Sequence, residues 1–167
     1  TLSRIIRLEV DIVNEENKKY FKKFPVFERE VNYYETDMMK IVHHSNYVRW
    51  FEEARTYLLD FLGYSYARIE SEGFMIPVLS VSCEYKKPCR FGEKLKVIAK
   101  IDSYNGVRMK IIYEVWNEDL TELRVKGSSS HCFVDKNFNP VIIKKTVPEL
   151  HRIFEIAKRI GDKIDLI

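Results

Sequence analysis

One stretch of this chain keeps a helical period, and nearly everything around it keeps a period of two. From Tyr47 to Leu62 the apolar residues Tyr47, Phe51, Ala54, Leu58, Phe61 and Leu62 recur every three or four positions. Arg49, Glu52, Glu53, Thr56 and Asp60 fall opposite, as on an amphipathic helix. Ser45 or Asn46 can cap its start and Gly63 can end it, giving about 17 residues and roughly 25 Å of helix. Before it, Phe27, Arg29, Val31 and Tyr33 alternate with Glu28, Glu30 and Asn32. After it come four more alternating segments, led by Leu79 to Tyr85, Leu95 to Ile101, Val107 to Val115 and Leu123 to Phe133. Each reads as a strand with one apolar face, and Tyr104-Asn105-Gly106 and Asn117-Glu118-Asp119 supply turns.

A strand, a long helix and four strands in a meander make an α+β chain, and laying the helix across the antiparallel sheet buries both apolar faces. An edge strand then lacks a partner, and pairing with a second copy cures that most directly. A homodimer or homotetramer is expected. Residues 1–24 read as a charged N-terminal extension, 25–147 as the domain and 148–167 as a helical tail. In that tail Pro148, Leu150, Ile153, Phe154 and Ala157 form an apolar stripe in need of a surface, a partner chain being one candidate.

The rest of the composition mainly excludes. A net charge of +3 over 167 residues is too small to imply nucleic-acid binding. No run approaches the roughly 20 apolar residues of a membrane-spanning helix, and the opening TLSRIIRLEV lacks the apolar centre of a signal peptide, so a cytoplasmic protein without membrane insertion is expected. Cys83, Cys89 and Cys132 are odd in number and lack ligand spacing, which argues against a disulfide framework or a metal site.

The informative segment joins the first strand to the helix: Tyr33-Tyr34-Glu35-Thr36-Asp37, then Ile41-Val42-His43-His44-Ser45-Asn46-Tyr47, then Arg49-Trp50-Phe51-Glu52-Glu53-Ala54-Arg55. These three linked blocks resemble the signature of the 4-hydroxybenzoyl-CoA thioesterases, in particular their bacterial short-chain acyl-CoA branch. The similarity continues more loosely to Asp135. The resemblance implies a hotdog fold, a five-stranded antiparallel sheet wrapped around one long central helix, here with a short C-terminal helix. It implies an acyl-CoA thioesterase without a cofactor, CoA being part of the substrate, with active sites at subunit interfaces. Asp37 matches the aspartate of the family's Thr-Asp pair, seven residues before His44, and is thereby implied as the catalytic carboxylate, whether nucleophile or general base.

The chemistry supports that placement independently. Thioester hydrolysis needs a nucleophile or base, plus donors where the carbonyl oxygen becomes negative. A loop carboxylate beside a helix start supplies the first, and the backbone N–H groups near His43 to Asn46 supply the second. His44 would act mainly through its backbone. Asn46 and Tyr47 are candidates to orient substrate, although a cap and a core aromatic explain them equally well. Glu52 and Glu53 read as surface carboxylates, with Arg49 and Glu53 an i,i+4 pair. Residues 86–110 carry eight cationic side chains against two acidic ones; Lys86, Lys87 and Arg90, on a loop, are the candidates for CoA phosphates. The loop departs from the family at Lys40, where glycine is usual, so a positive φ there would be strained. The same site could serve an acyl carrier protein thioester, and a non-catalytic acyl-CoA-binding module could keep the fold.

Overall fold

The computed structural model describes residues 25–163; the expected extension, 1–24, lies outside them. Strand β1 (Val26–Glu30) leads through a 3-10 turn (Tyr33–Glu35) to the long helix α1 (Asn46–Phe61). A short helix α2 (Tyr66–Ser71) and strand β2 (Phe74–Met75) follow. Then come β3 (Val78–Tyr85), β4 (Lys94–Tyr104), β5 (Arg108–Asn117), β6 (Leu123–Cys132) and β7 (Val134–Asp135). Helices α3 (Ile143–Thr146) and α4 (Pro148–Asp162) follow. Among the described residues no helix is long and apolar enough to cross a membrane.

The five long strands form one antiparallel sheet in the order β1-β4-β5-β6-β3, so the expected sheet is present but the expected meander is not. Only β4, β5 and β6 run as consecutive hairpins; β3 pairs with β6, through Val81↔Ser129 and Cys83↔Gly127. The link from β3 to β4 explains this. It contains Pro88 and is too long for a tight hairpin, and it carries the chain across three strand spacings, roughly 14 Å, to the other side of the sheet. The first strand is shorter than its alternation implied. Asn32 donates its backbone N–H to the Glu35 carboxylate at 2.8 Å, which turns the chain and leaves Tyr33 and Tyr34 exposed.

Helix α1 lies on the face built from Leu95, Val97, Ala99, Met109, Ile111, Tyr113 and Val115, all buried with Phe51, Ala54 and Leu58 in one core. Phe51 stacks on Tyr113 with centroids 4.5 Å apart. Gly63 ends the helix region at φ +74°, as expected. Neither expected cap works as one: Ser45 holds the capping position without a capping bond, and Asn46 turns inward. Helix α4 begins at Pro148 and packs on its own chain. Tyr104 meets both Phe133 and Phe154 edge-on, and Arg68 reaches Glu149 at 2.9 Å.

A buried polar chain crosses this core. The Arg55 guanidinium approaches His131 Nδ1 at 3.0 Å, His131 Nε2 lies 2.6 Å from Ser129 Oγ, and Ser129 Oγ lies 2.7 Å from the Tyr113 hydroxyl. Arginine can only donate, so Nδ1 accepts and Nε2–H donates to Ser129. Burial, reinforced by the Arg55 charge, pulls His131 from the ordinary 6.5 down to about 4. Above pH 6.5 the ring is neutral folded or unfolded and contributes no slope. As pH falls from 6.5 to 4 the unfolded chain takes up the proton and the folded one does not, so up to about 3 kcal/mol is lost. The urea midpoint should therefore drop between pH 7 and pH 5, and His131→Gln should flatten that drop; an unchanged pH slope would remove His131 as its source.

Candidate active site

The loop between β1 and α1 folds back on itself as a small hairpin. Thr36 and Val42 form an antiparallel bridge, Asp37 N–H donates to Ile41 O at 2.9 Å, and Lys40 N–H donates to Asp37 O at 2.9 Å. Asp37 Oδ1 accepts the Met39 N–H at 2.8 Å, an Asx turn that fixes the carboxylate. That is the carboxylate's one hydrogen bond among the described residues, and its other oxygen is available. Lys40 sits at φ +60°, so the left-handed backbone in question at this position is present with a lysine in it, at a conformational cost of about 1 kcal/mol.

Asp37, Ile41, His44, Tyr47, Tyr85 and Lys87 are among the residues around a cleft of about 320 Å³. The loop and the β3–β4 crossing meet there, joined by Val42 N–H donating to Cys89 O at 2.8 Å. Of the backbone N–H groups from His43 to Asn46, three are engaged. His43 donates to Glu35 O and Asn46 to His43 O, and Ser45 makes a long contact of 3.4 Å to His43 Nδ1. The His44 N–H has no acceptor among the described residues, so the free donor expected near the helix start narrows to one. Its carbonyl accepts from the Tyr85 hydroxyl at 3.3 Å, and its exposed ring lies 4.1 Å from that of His43.

The other expected residues divide. Tyr47 lines the cleft yet is almost fully buried between Trp50 and Tyr85; burial, with the neighbouring Cys89 thiol, pushes its hydroxyl well above the ordinary value, so it stays protonated. The same burial raises Cys89 to about 11. Asn46 is away from the cleft, its Nδ2 donating to Glu35 O at 2.9 Å. Lys86 and Lys87 line the cleft, paired with Glu84 at 2.7 Å and with Glu122. Arg90 instead reaches the Lys40 carbonyl at 3.4 Å. Glu53 pairs with Arg29 at 2.6 Å and not with Arg49, while Glu52 pairs with Arg55 at 2.5 Å.

Sequence reasoning missed Glu35. It is 5% exposed and its carboxylate accepts from Arg29 at 2.5 Å, Trp50 Nε1 at 2.8 Å and Asn32 N. The signal was present in the alternation, which put Arg29 on the same face as Phe27 and Val31 and so required a buried counterion.

Residues 31–154 match the family described as the thioesterase-like superfamily. YneP of Bacillus subtilis, whose name assigns it provisionally as an acyl-CoA thioesterase, is 41% identical over 133 residues, 79% of this chain and 96% of that protein. The acyl-CoA thioester hydrolase YbgC of Escherichia coli is 26% identical over 70% of this chain and 87% of its own. Among solved structures, a DHNA-CoA thioesterase from Staphylococcus aureus superposes with a TM-score of 0.78 at 31% identity, covering 85% of this chain and 95% of that one. The chain belongs to the thioesterase-like superfamily.

Proposed function

We propose that this protein hydrolyses acyl-CoA thioesters to a free acid and CoA, as a relative of the 4-hydroxybenzoyl-CoA type whose carboxylate lies on the loop before the helix. One observation carries the reading: Asp37, with an available oxygen, and His44, with an unengaged N–H, line the same cleft. Attack by Asp37 on the thioester carbonyl would expel the CoA thiolate and leave an anhydride for water to cleave. Alternatively, Asp37 takes a proton from the water that attacks. Either way one water is consumed and the carbonyl oxygen becomes negative, which is where the His44 N–H and the helix start are of use.

Lys86 and Lys87, with Arg90 beside them, are the candidates to meet the CoA phosphates. Phosphate must first displace Glu84 and Glu122, but exposed ion pairs are worth only about 0–1 kcal/mol, so the exchange favours the more highly charged anion. The edge strand β3 leaves Val78, Leu79, Val81 and Tyr85 exposed. Pairing this edge with a second copy would cover them and bring a partner chain beside the cleft, since Tyr85 lines both.

Both parts are tested on one preparation. Light scattering should return at least a dimer, and free thiol should be released from at least one of a panel of short, long and aromatic acyl-CoA substrates at a higher kcat/KM than from the matching carrier-protein thioesters. A monomer would remove the edge pairing. Faster turnover of the carrier-protein forms would reassign the substrate, and binding without any thiol release would make the chain a binding module.

A further inference from the structure

Glu35 stands two residues before Asp37 and ties together β1, the turn, the returning loop and the head of α1. Its Oε1 accepts from Arg29 on β1 and from Trp50 on α1, and its Oε2 accepts from the Asn32 backbone in the turn. Its carbonyl accepts from the His43 N–H, on the returning side of the loop, and from Asn46 Nδ2 at the head of α1. The Arg29 guanidinium it holds also lies 4.3 Å over the Trp50 ring. Asp37 leaves this anchor on one side and His44 follows His43 on the other, so the position of the carboxylate relative to the unengaged N–H is fixed through one side chain and one carbonyl.

Stability alone is a poor reason for this arrangement. A buried ion pair costs desolvation that apolar packing of the same volume avoids, and Arg29 Nε is buried without a hydrogen-bond partner among the described residues. What the pair supplies is direction: three donors, from β1, the turn and α1, converge on one carboxylate.

We propose that Glu35 is a positioning residue for thioester hydrolysis, holding Asp37 and the His44 N–H at their working separation while touching no substrate. The inference rests on the reading of the cleft as a thioesterase site. In Glu35→Gln one carboxylate oxygen becomes an amide that cannot accept from Asn32 or Arg29, while volume is kept. Misplacement of about 1 Å costs up to about 100-fold in rate. The expected result is a kcat reduced at least about tenfold with KM within about threefold, and faster hydrogen exchange at the His43 amide. Trp50→Phe, which removes one donor and keeps a ring, should lower kcat by less and serves if Glu35→Gln does not fold. The proposal is overturned if kcat stays above one tenth of wild type in Glu35→Gln with His43 exchange unchanged, or if KM rises while kcat holds. It is equally overturned if, with Glu35→Gln unfolded, Trp50→Phe leaves kcat and His43 exchange unaltered. Exchange at His43 is read without any substrate, so a wild-type chain that turns over no thioester would defeat the functional reading while leaving the anchoring by Glu35 measured.

Discussion

Asp37→Asn should lower kcat for thioester hydrolysis by about a thousandfold or more, the scale expected when a positioned base or nucleophile is lost, with little change in folding stability. The geometry separates the two effects. The turn needs only an acceptor for the Met39 N–H, and the amide oxygen of asparagine supplies one, so the hairpin from Thr36 to Val42 persists. What disappears is the negative charge that attacks or takes a proton. Substrate affinity should change little, because the lysines and the apolar cleft wall are untouched. Turnover rates and the urea midpoint of the variant together check this; an Asp37→Asn protein with wild-type kcat would end the assignment.

The second large effect concerns stability. A methyl group at Gly127 would stand 2.3 and 2.5 Å from ring carbons of Phe51 and 2.9 Å from the Ser82 carbonyl oxygen. Phe51 has little room to step aside, since its ring stacks on Tyr113 at an interplanar angle of 10°. Gly127→Ala should therefore cost about 3 kcal/mol or more, the upper range for overpacking. Phe51→Ala alone should cost about 3 to 5 kcal/mol by leaving a cavity. The double substitution should fall short of the sum by at least about 1 kcal/mol, because the added methyl then enters the vacated space. Simple additivity in urea unfolding would show that the ring and the strand do not compete for that volume.

How much of this was legible in the sequence depended on whether the cause was local. Helix α1 and the five long strands announced themselves because periods of 3.6 and 2 are set by burial of one face. The strand order did not: β3 alternates as regularly as β4, and nothing within Leu79 to Tyr85 says that its partner is β6, some 45 residues later. Helix α2 and the β2–β7 pair were too short to show a period. At the cleft, the motif placed Asp37 and His44 together, and the substitution at Lys40 correctly raised the question of a positive φ. Asn46 was misread because capping and inward anchoring ask for the same side chain. Arg55 and His131 were invisible as a pair because they lie 76 residues apart in the chain and only the fold puts one against the other. Glu35 was passed over for a similar reason, its three donors coming from three separate elements.

The bond from Val42 to the carbonyl of Cys89 has a consequence for the order in which the molecule is made. Asp37, His44 and the whole of α1 leave the ribosome well before the segment around Tyr85 to Cys89, and that segment is held against them only after β6 has emerged to pair with β3. A nascent chain therefore carries the Asp37 carboxylate for many seconds, at synthesis rates of about 5–20 residues per second, without the wall that makes the cleft. Thioester cleavage is expected to begin only once the C-terminal half has been made.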